Sequence, residues 1–146
     1  MVREGPGFNS RSRLQMKDRT DEFSFLLKPS EHGIGVFATH DIKAGTYLRL
    51  FGEETEATDV SVVRNKKDVP ELFSQYCVDR GDALRCPRDF GRMEVGWHLN
   101  HSSTPNAYHR NYDYYARRDI LAGEEILIDY NSLEEPEDAK EDYYRN

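Results

Sequence analysis

An eight-residue pattern occurs twice in this chain, as Ala38-Thr-His-Asp-Ile-Lys-Ala-Gly45 and as Ala116-Arg-Arg-Asp-Ile-Leu-Ala-Gly123, with the shared form A-x-x-D-I-x-A-G. A strand-like run follows each copy, so one turn is used twice, near the start and near the end of one domain. The residue types state what the turn requires. The Ala closes a strand, the Asp can bond the backbone of the reversal, the Ile enters the core beneath, and the Gly takes a positive φ before the chain re-enters a sheet. Two matching β corners are a signal of architecture rather than of catalysis.

Short apolar runs cut by Gly, Pro, Asp and Asn lie around these corners, at 23–27, 34–38, 47–51, 75–78, 112–117 and 125–130, and read as strands. Helix is expected only at 67–74 and in a late segment opening at Ser132, with Glu135 in capping-box spacing. A length of 146 residues fits one domain, and 37% hydrophobic residues can build its core despite 32% charged ones. Residues 1–20 read as a basic arm, 21–131 as the domain with a variable insert at about 55–75, and 132–146 as an acidic tail.

The apolar runs fall far short of the roughly 20 residues needed to cross a bilayer, and the first residues carry no apolar signal core. The expectation is an intracellular protein without a membrane partner, in a nucleus or a bacterial cytoplasm, which the sequence does not distinguish. Cys77 and Cys86 are too few to ligate a structural zinc; no metal site is expected, and the two read as ordinary reduced thiols. A formal charge of −7 repels a phosphate backbone and attracts a basic peptide, so direct nucleic-acid binding is not expected.

Three segments could carry chemistry. Gly33-Ile34-Gly35 precedes Val36-Phe37-Ala38, whereas a dinucleotide fingerprint needs G-x-G-x-x-G leading into a helix; the glycines form a turn or let a ligand lie against the main chain. The stretch Trp97-His-Leu-Asn-His-Ser-Ser-Thr-Pro-Asn106 reads as a glycosylation acceptor, a Ser/His pair or a polar turn. Gly123-Glu-Glu-Ile-Leu-Ile-Asp-Tyr130 is an alternating strand ending in a tyrosine, which alone signifies packing.

In this order, G-x-G-V-F-A, N-H-S-x-x-P-N and G-E-E-I-x-I-D-Y, framed by the D-I-x-A-G corners, resemble the SET domain of protein-lysine methyltransferases over about 33–130. The resemblance implies a mainly β fold of small curved sheets with few short helices. It also implies a knot-like C-terminal crossing of the Asn100-His101 and Tyr130 segments. S-adenosylmethionine and the substrate lysine would enter from opposite faces. Ile34 and Gly35 would offer main-chain contacts to the cofactor, Asn100 and His101 would hold its amino and adenine parts, and the Tyr130 hydroxyl would stand at the methyl-transfer point. Tyr76 would line the lysine channel as the second catalytic candidate, with Tyr108, His109 and Tyr115 as further wall candidates.

This chain has Ser103 where the family often has Cys, and Leu50 where it often has Tyr. It also lacks the cysteine-rich zinc segment that many members carry after the Asp-Tyr pair. Tyr143 and Tyr144 are the only aromatics left there to stack on adenine, and Tyr144 is taken as a cofactor contact. The implied activity is methylation of a lysine on a basic protein such as a histone tail. The alternative is a catalytically inactive SET-like module that binds a peptide or protein partner.

Overall fold

The two D-I-x-A-G corners bind each other. In the computed structural model of the chain, which describes residues 18–31, 33–52 and 61–133, Ile42 N donates to Ile120 O and Ile120 N to Ile42 O, both at 2.7 Å. Gly45 N donates to Ala116 O and Gly123 N to Ala38 O, both at 2.8 Å. The carboxylates cross over as well, Asp119 accepting from Ala44 N at 2.9 Å and Asp41 from Ala122 N at 2.8 Å. Each Asp therefore serves the opposite corner and not its own reversal, the local bond expected from sequence. The exchange gives a partner to one N–H in each turn that the turn itself leaves unpaired. Gly45 and Gly123 have φ of +88° and +92°, as their places in the pattern require, and Ile42 and Ile120 are buried.

The strands in chain order are β1 Phe25–Ser30, β2 Gly33–Ala38, β3 Tyr47–Leu48, β4 Ser61–Asn65, β5 Val78–Asp79, β6 Ala83–Pro87, β7 Asn100–His101, β8 Ala107–Arg110, β9 Asp113–Ala116 and β10 Leu127–Ile128. They form four small sheets: the β1-β2 hairpin, β3-β9-β8, β4-β6-β5, and the parallel pair β7-β10. The one α-helix among the described residues, α1 Glu71–Ser74, is accompanied by 3₁₀ turns at Lys66–Asp68, Phe90–Arg92, Val95–His98 and Tyr130–Leu133. This is the mainly β arrangement of small sheets that the motifs implied.

The helix expected at 67–74 is split, because Val69 is extended at φ −110° and ψ 122° ahead of Pro70. Proline disfavours helical backbone in the residue before it and is tolerated in a first turn, so the helix restarts after it. Strands β4, β6, β7 and β8 were not expected; β4 and β6 belong to a separate sheet with its own small core of Val69, Leu84 and Cys86. The expected segment opening at Ser132 begins in a 3₁₀ turn, and its continuation lies outside the described residues.

The main core joins Phe25, Val36 and Ala38 of the hairpin to Leu48, Leu50, Leu99, Tyr114, Ile126 and Ile128. In β3-β9-β8 the row Leu48, Tyr114, His109 lies on the core side, and the row Tyr47, Tyr115, Tyr108 on the opposite side. Burial pushes the Tyr114 hydroxyl above its ordinary pKa and keeps it neutral.

If the clasp of the corners organises the domain, its buried isoleucine carries a full core penalty. Ile120→Ala is expected to cost about 2–5 kcal/mol and Ile120→Val about 1 kcal/mol in urea unfolding. Equal small losses for both would contradict a close-packed corner.

Candidate functional site

The site is built on the segment from His98 to His101. Asn100, on β7, is buried and needs partners for its amide hydrogens. Nδ2 donates to Glu125 Oε2 at 2.7 Å and to the Ile34 carbonyl at 3.1 Å, with Ser30 Oγ at 3.4 Å. Ser30 Oγ in turn donates toward the two Glu125 oxygens at 2.9 and 3.0 Å. A Cβ at Gly35 would run into the Glu125 carboxylate and the Ser30 Cβ, so glycine is what lets this cluster close against β2. The Ile34 side chain stays exposed while its carbonyl is committed to Asn100.

The second asparagine of the motif has a different task. Asn106 Nδ2 donates to Glu125 O at 2.7 Å and its Oδ1 accepts from Leu127 N at 2.8 Å, so one side chain pairs with the main chain on both sides of Ile126. Beyond it, Leu127 lies opposite Asn100 and Ile128 opposite His101 in the parallel β7-β10 pair. That register carries the chain to Tyr130.

Tyr130 is anchored at both ends. Its hydroxyl donates to Leu99 O at 2.6 Å, and its backbone N–H donates to His101 Nδ1 at 3.0 Å. A ring nitrogen that accepts carries no proton, so this bond selects the neutral Nε2–H tautomer of His101. Asp129 Oδ1, at 3.7 Å from that nitrogen, accepts instead from Asn131 N and Nδ2, both at 2.9 Å.

Tyr76 reaches the same segment through His98, the two rings meeting edge to face at 5.3 Å. His98 ends the Val95–His98 turn, which is held by Gly96 N donating to Leu50 O at 2.9 Å. A Cβ at Gly96 would strike the Phe51 ring, which packs perpendicular to Trp97 at 5.4 Å. Leu50 is itself core. His98 Nδ1 is buried without a hydrogen-bond partner among the described residues, and desolvation lowers the His98 pKa below 6.5.

Of the residues singled out from the sequence, Ile34, Asn100, His101 and Tyr130 make direct hydrogen bonds around this segment. Gly35 joins through Glu125, and Tyr76 through His98. Tyr144 lies outside the described residues. The three wall candidates divide: Tyr108 and Tyr115 stack on each other at 5.7 Å on the sheet face away from the core, whereas His109 Nε2 contacts Ser132 O at 2.9 Å. Arg80 adds bonds to Leu133 O at 3.0 Å and Tyr112 Oη at 2.9 Å, so the chain just after Tyr130 is held from two sides. Ser30, Glu125, His98 and Arg80 were missed as contributors. Glu125 had a signal in the G-E-E motif and His98 lay within the polar stretch 97–106; Ser30 and Arg80 had none.

The described residues hold no grouping of three or more His, Cys, Asp or Glu suited to a metal ion. In comparisons with known proteins, residues 33–131, about two thirds of the chain, match the family model of the SET domain. A search of curated proteins finds no match. Among solved structures, a Plasmodium falciparum protein provisionally described as a histone methyltransferase is similar at 23% identity and a TM-score of 0.48, over 74% of this chain and 93% of that one.

Two outcomes test this geometry. Gly35→Ala is expected to destabilise by about 1–3 kcal/mol, and less in a Glu125→Ala background, where the clash with the carboxylate is gone and only that with Ser30 Cβ stays; strict additivity in the double-mutant cycle would refute the carboxylate contact. Because burial disfavours the imidazolium, folded His98 holds its proton less tightly than the unfolded chain does. Its ring signals in NMR should titrate with a midpoint below 6.5, and its contribution to stability should be full above that pH and decline below it. A midpoint at or above 6.5 would contradict the buried, unpartnered nitrogen.

Proposed function

The chain belongs to the SET-domain family, and from that premise we propose that it is a protein-lysine N-methyltransferase using S-adenosylmethionine. The observation that carries the reading is the Tyr130 hydroxyl, fixed on Leu99 O beside the Asn100 cluster. Its hydrogen is committed to that carbonyl, so toward a polarised methyl group the oxygen acts as an acceptor of weak C–H···O contacts.

In this reading Asn100, His101 and the main chain of Ile34 and Gly35 hold the cofactor, and Tyr144 stacks on its adenine. The bound cofactor supplies an electrophilic methyl on a positively charged sulfur. Tyr76 and His98 form an aromatic wall for the substrate lysine, and His98, neutral through burial, adds no charge to it. A free lysine has a pKa of roughly 10.4. An apolar wall and a nearby positive charge both disfavour its ammonium form, so the amine is readied without a strong general base. Positioning by the doubly anchored Tyr130 then supplies much of the acceleration. The charge of −7 favours a basic protein segment, a histone tail being one such substrate.

Tyr130→Phe is expected to fold, to bind S-adenosylmethionine in calorimetry as the parent does, and to lose roughly 10²-fold or more in radiolabelled methyl transfer to basic proteins. Full turnover by this variant would remove Tyr130 from the reaction. Absence of any cofactor binding by the parent chain would favour a silent binding module instead.

A further inference from the structure

The two cysteines, nine positions apart in sequence, face each other across a strand pair. Strand β5 runs antiparallel to β6 with Val78 opposite Arg85 and Asp79 opposite Leu84. Extended one residue past the end of β5, the same register sets Cys77 opposite Cys86, and Cys77 packs against the cluster that contains Cys86. Arg80 N donates to Ala83 O at 2.8 Å, which fixes the phase of the ladder. The pairs 80/83 and 78/85 are the hydrogen-bonded ones, and 79/84 and 77/86 are the closely spaced pairs without hydrogen bonds. In such a pair the Cα atoms lie about 4.5 Å apart, within the roughly 4.4–6.8 Å that a disulfide spans. Both side chains belong to the small core of this sheet, with Val69, Leu84 and Phe90. Cys86 is fully buried, while Cys77 is partly exposed; both are unbridged thiols.

We propose that Cys77 and Cys86 are a reversible disulfide site that staples β5 to β6 and fixes the neighbouring Tyr76 against His98. The oxidant is a low-molecular-weight disulfide such as oxidised glutathione. The thiolate of Cys77, the reachable sulfur, attacks it, expelling one thiolate and leaving a mixed disulfide on the protein. Cys86, once deprotonated, attacks the Cys77 sulfur and expels the second small thiol. Two electrons pass from the cysteine pair to the oxidant, and excess small thiol reverses both steps. Burial and the adjacent Cys86 thiol push the Cys77 pKa up to about 12, with Arg64 of β4 acting weakly in the opposite sense. The exchange is therefore slow near neutral pH, and a compact sheet with both sulfurs already opposed closes the bond once the first step is made.

The full chain, equilibrated in glutathione buffers from reducing to oxidising and quenched by alkylation, tests this by intact mass and peptide mapping. The expected product has lost two hydrogens, links the peptides containing Cys77 and Cys86, and returns to two alkylatable thiols with excess reductant. Its melting midpoint should rise by roughly 5 °C over the reduced protein, a shift absent in Cys77→Ser. If that variant does not fold, the comparison of the parent with and without reductant gives the same reading. A stable glutathione adduct on Cys77 with Cys86 still alkylatable after denaturation, or crosslinks only between chains, would overturn the site. Identical His98 ring signals in the oxidised and reduced proteins would overturn the fixing of Tyr76. None of these readouts depends on methyl transfer.

Discussion

The reciprocal clasp of the two D-I-x-A-G corners sets the register on which the site depends. Its last bond, Gly123 N to Ala38 O, continues directly into Ala38 N donating to Glu124 O at 2.9 Å and Ile126 N donating to Val36 O at 2.7 Å. The segment after the second corner is thereby zipped along β2, with Glu125 opposite Phe37 and on the same face as Gly35. A slip of one residue would turn Glu125 to the other face and Ile126 out of the core. The buried isoleucines and positive-φ glycines of the corners make that slip costly from both ends at once.

From that register the polar cluster follows. Burying an amide and a carboxylate together costs free energy unless each atom finds a partner. Here Ser30 and Asn100 donate to the Glu125 carboxylate and Asn100 also to the Ile34 carbonyl, while Asn106 occupies the main-chain groups of Glu125 and Leu127. The two asparagines of one motif thus divide the work. Asn106 closes a gap in the backbone pairing, and Asn100 presents the polar edge of the site beside Tyr130.

The parts of this arrangement that sequence reading reached are those in which a residue type states its own requirement. A Gly after D-I-x-A needs a positive φ, and an alternating run ending in Asp-Tyr needs a strand with one buried face. What it missed depends on partners far along the chain. Asp41 was assigned to its own turn because nothing local reveals that the amide it serves is Ala122. Ser30 and His98 carry no motif, and they matter only because β1 and α1's neighbour Tyr76 are brought beside 98–101 by pairing. The pair Cys77–Cys86 was invisible for the same reason, since the β5-β6 register that opposes them lay in a stretch of mixed polar residues. Pro70 was the exception, a local signal that should have divided the expected helix.

Several rings of the site and of the core behind it are held neutral by different means. His101 is neutral because Nδ1 accepts from Tyr130 N, His98 because burial opposes its charge, and Tyr114 because burial opposes ionisation of its hydroxyl. Neutral rings reorganise little when a charge changes nearby, and they screen it far less than water does. For the proposed reaction that is the useful property. Loss of a proton from an approaching amine is then governed by its removal from water and by the positive sulfur beside it, while the protein's own groups stay in one protonation state. A basic side chain beside Tyr130 that gained and lost its own proton would change this electrostatic setting with pH. The doubly anchored Tyr130 supplies position and lone-pair density without adding such a charge.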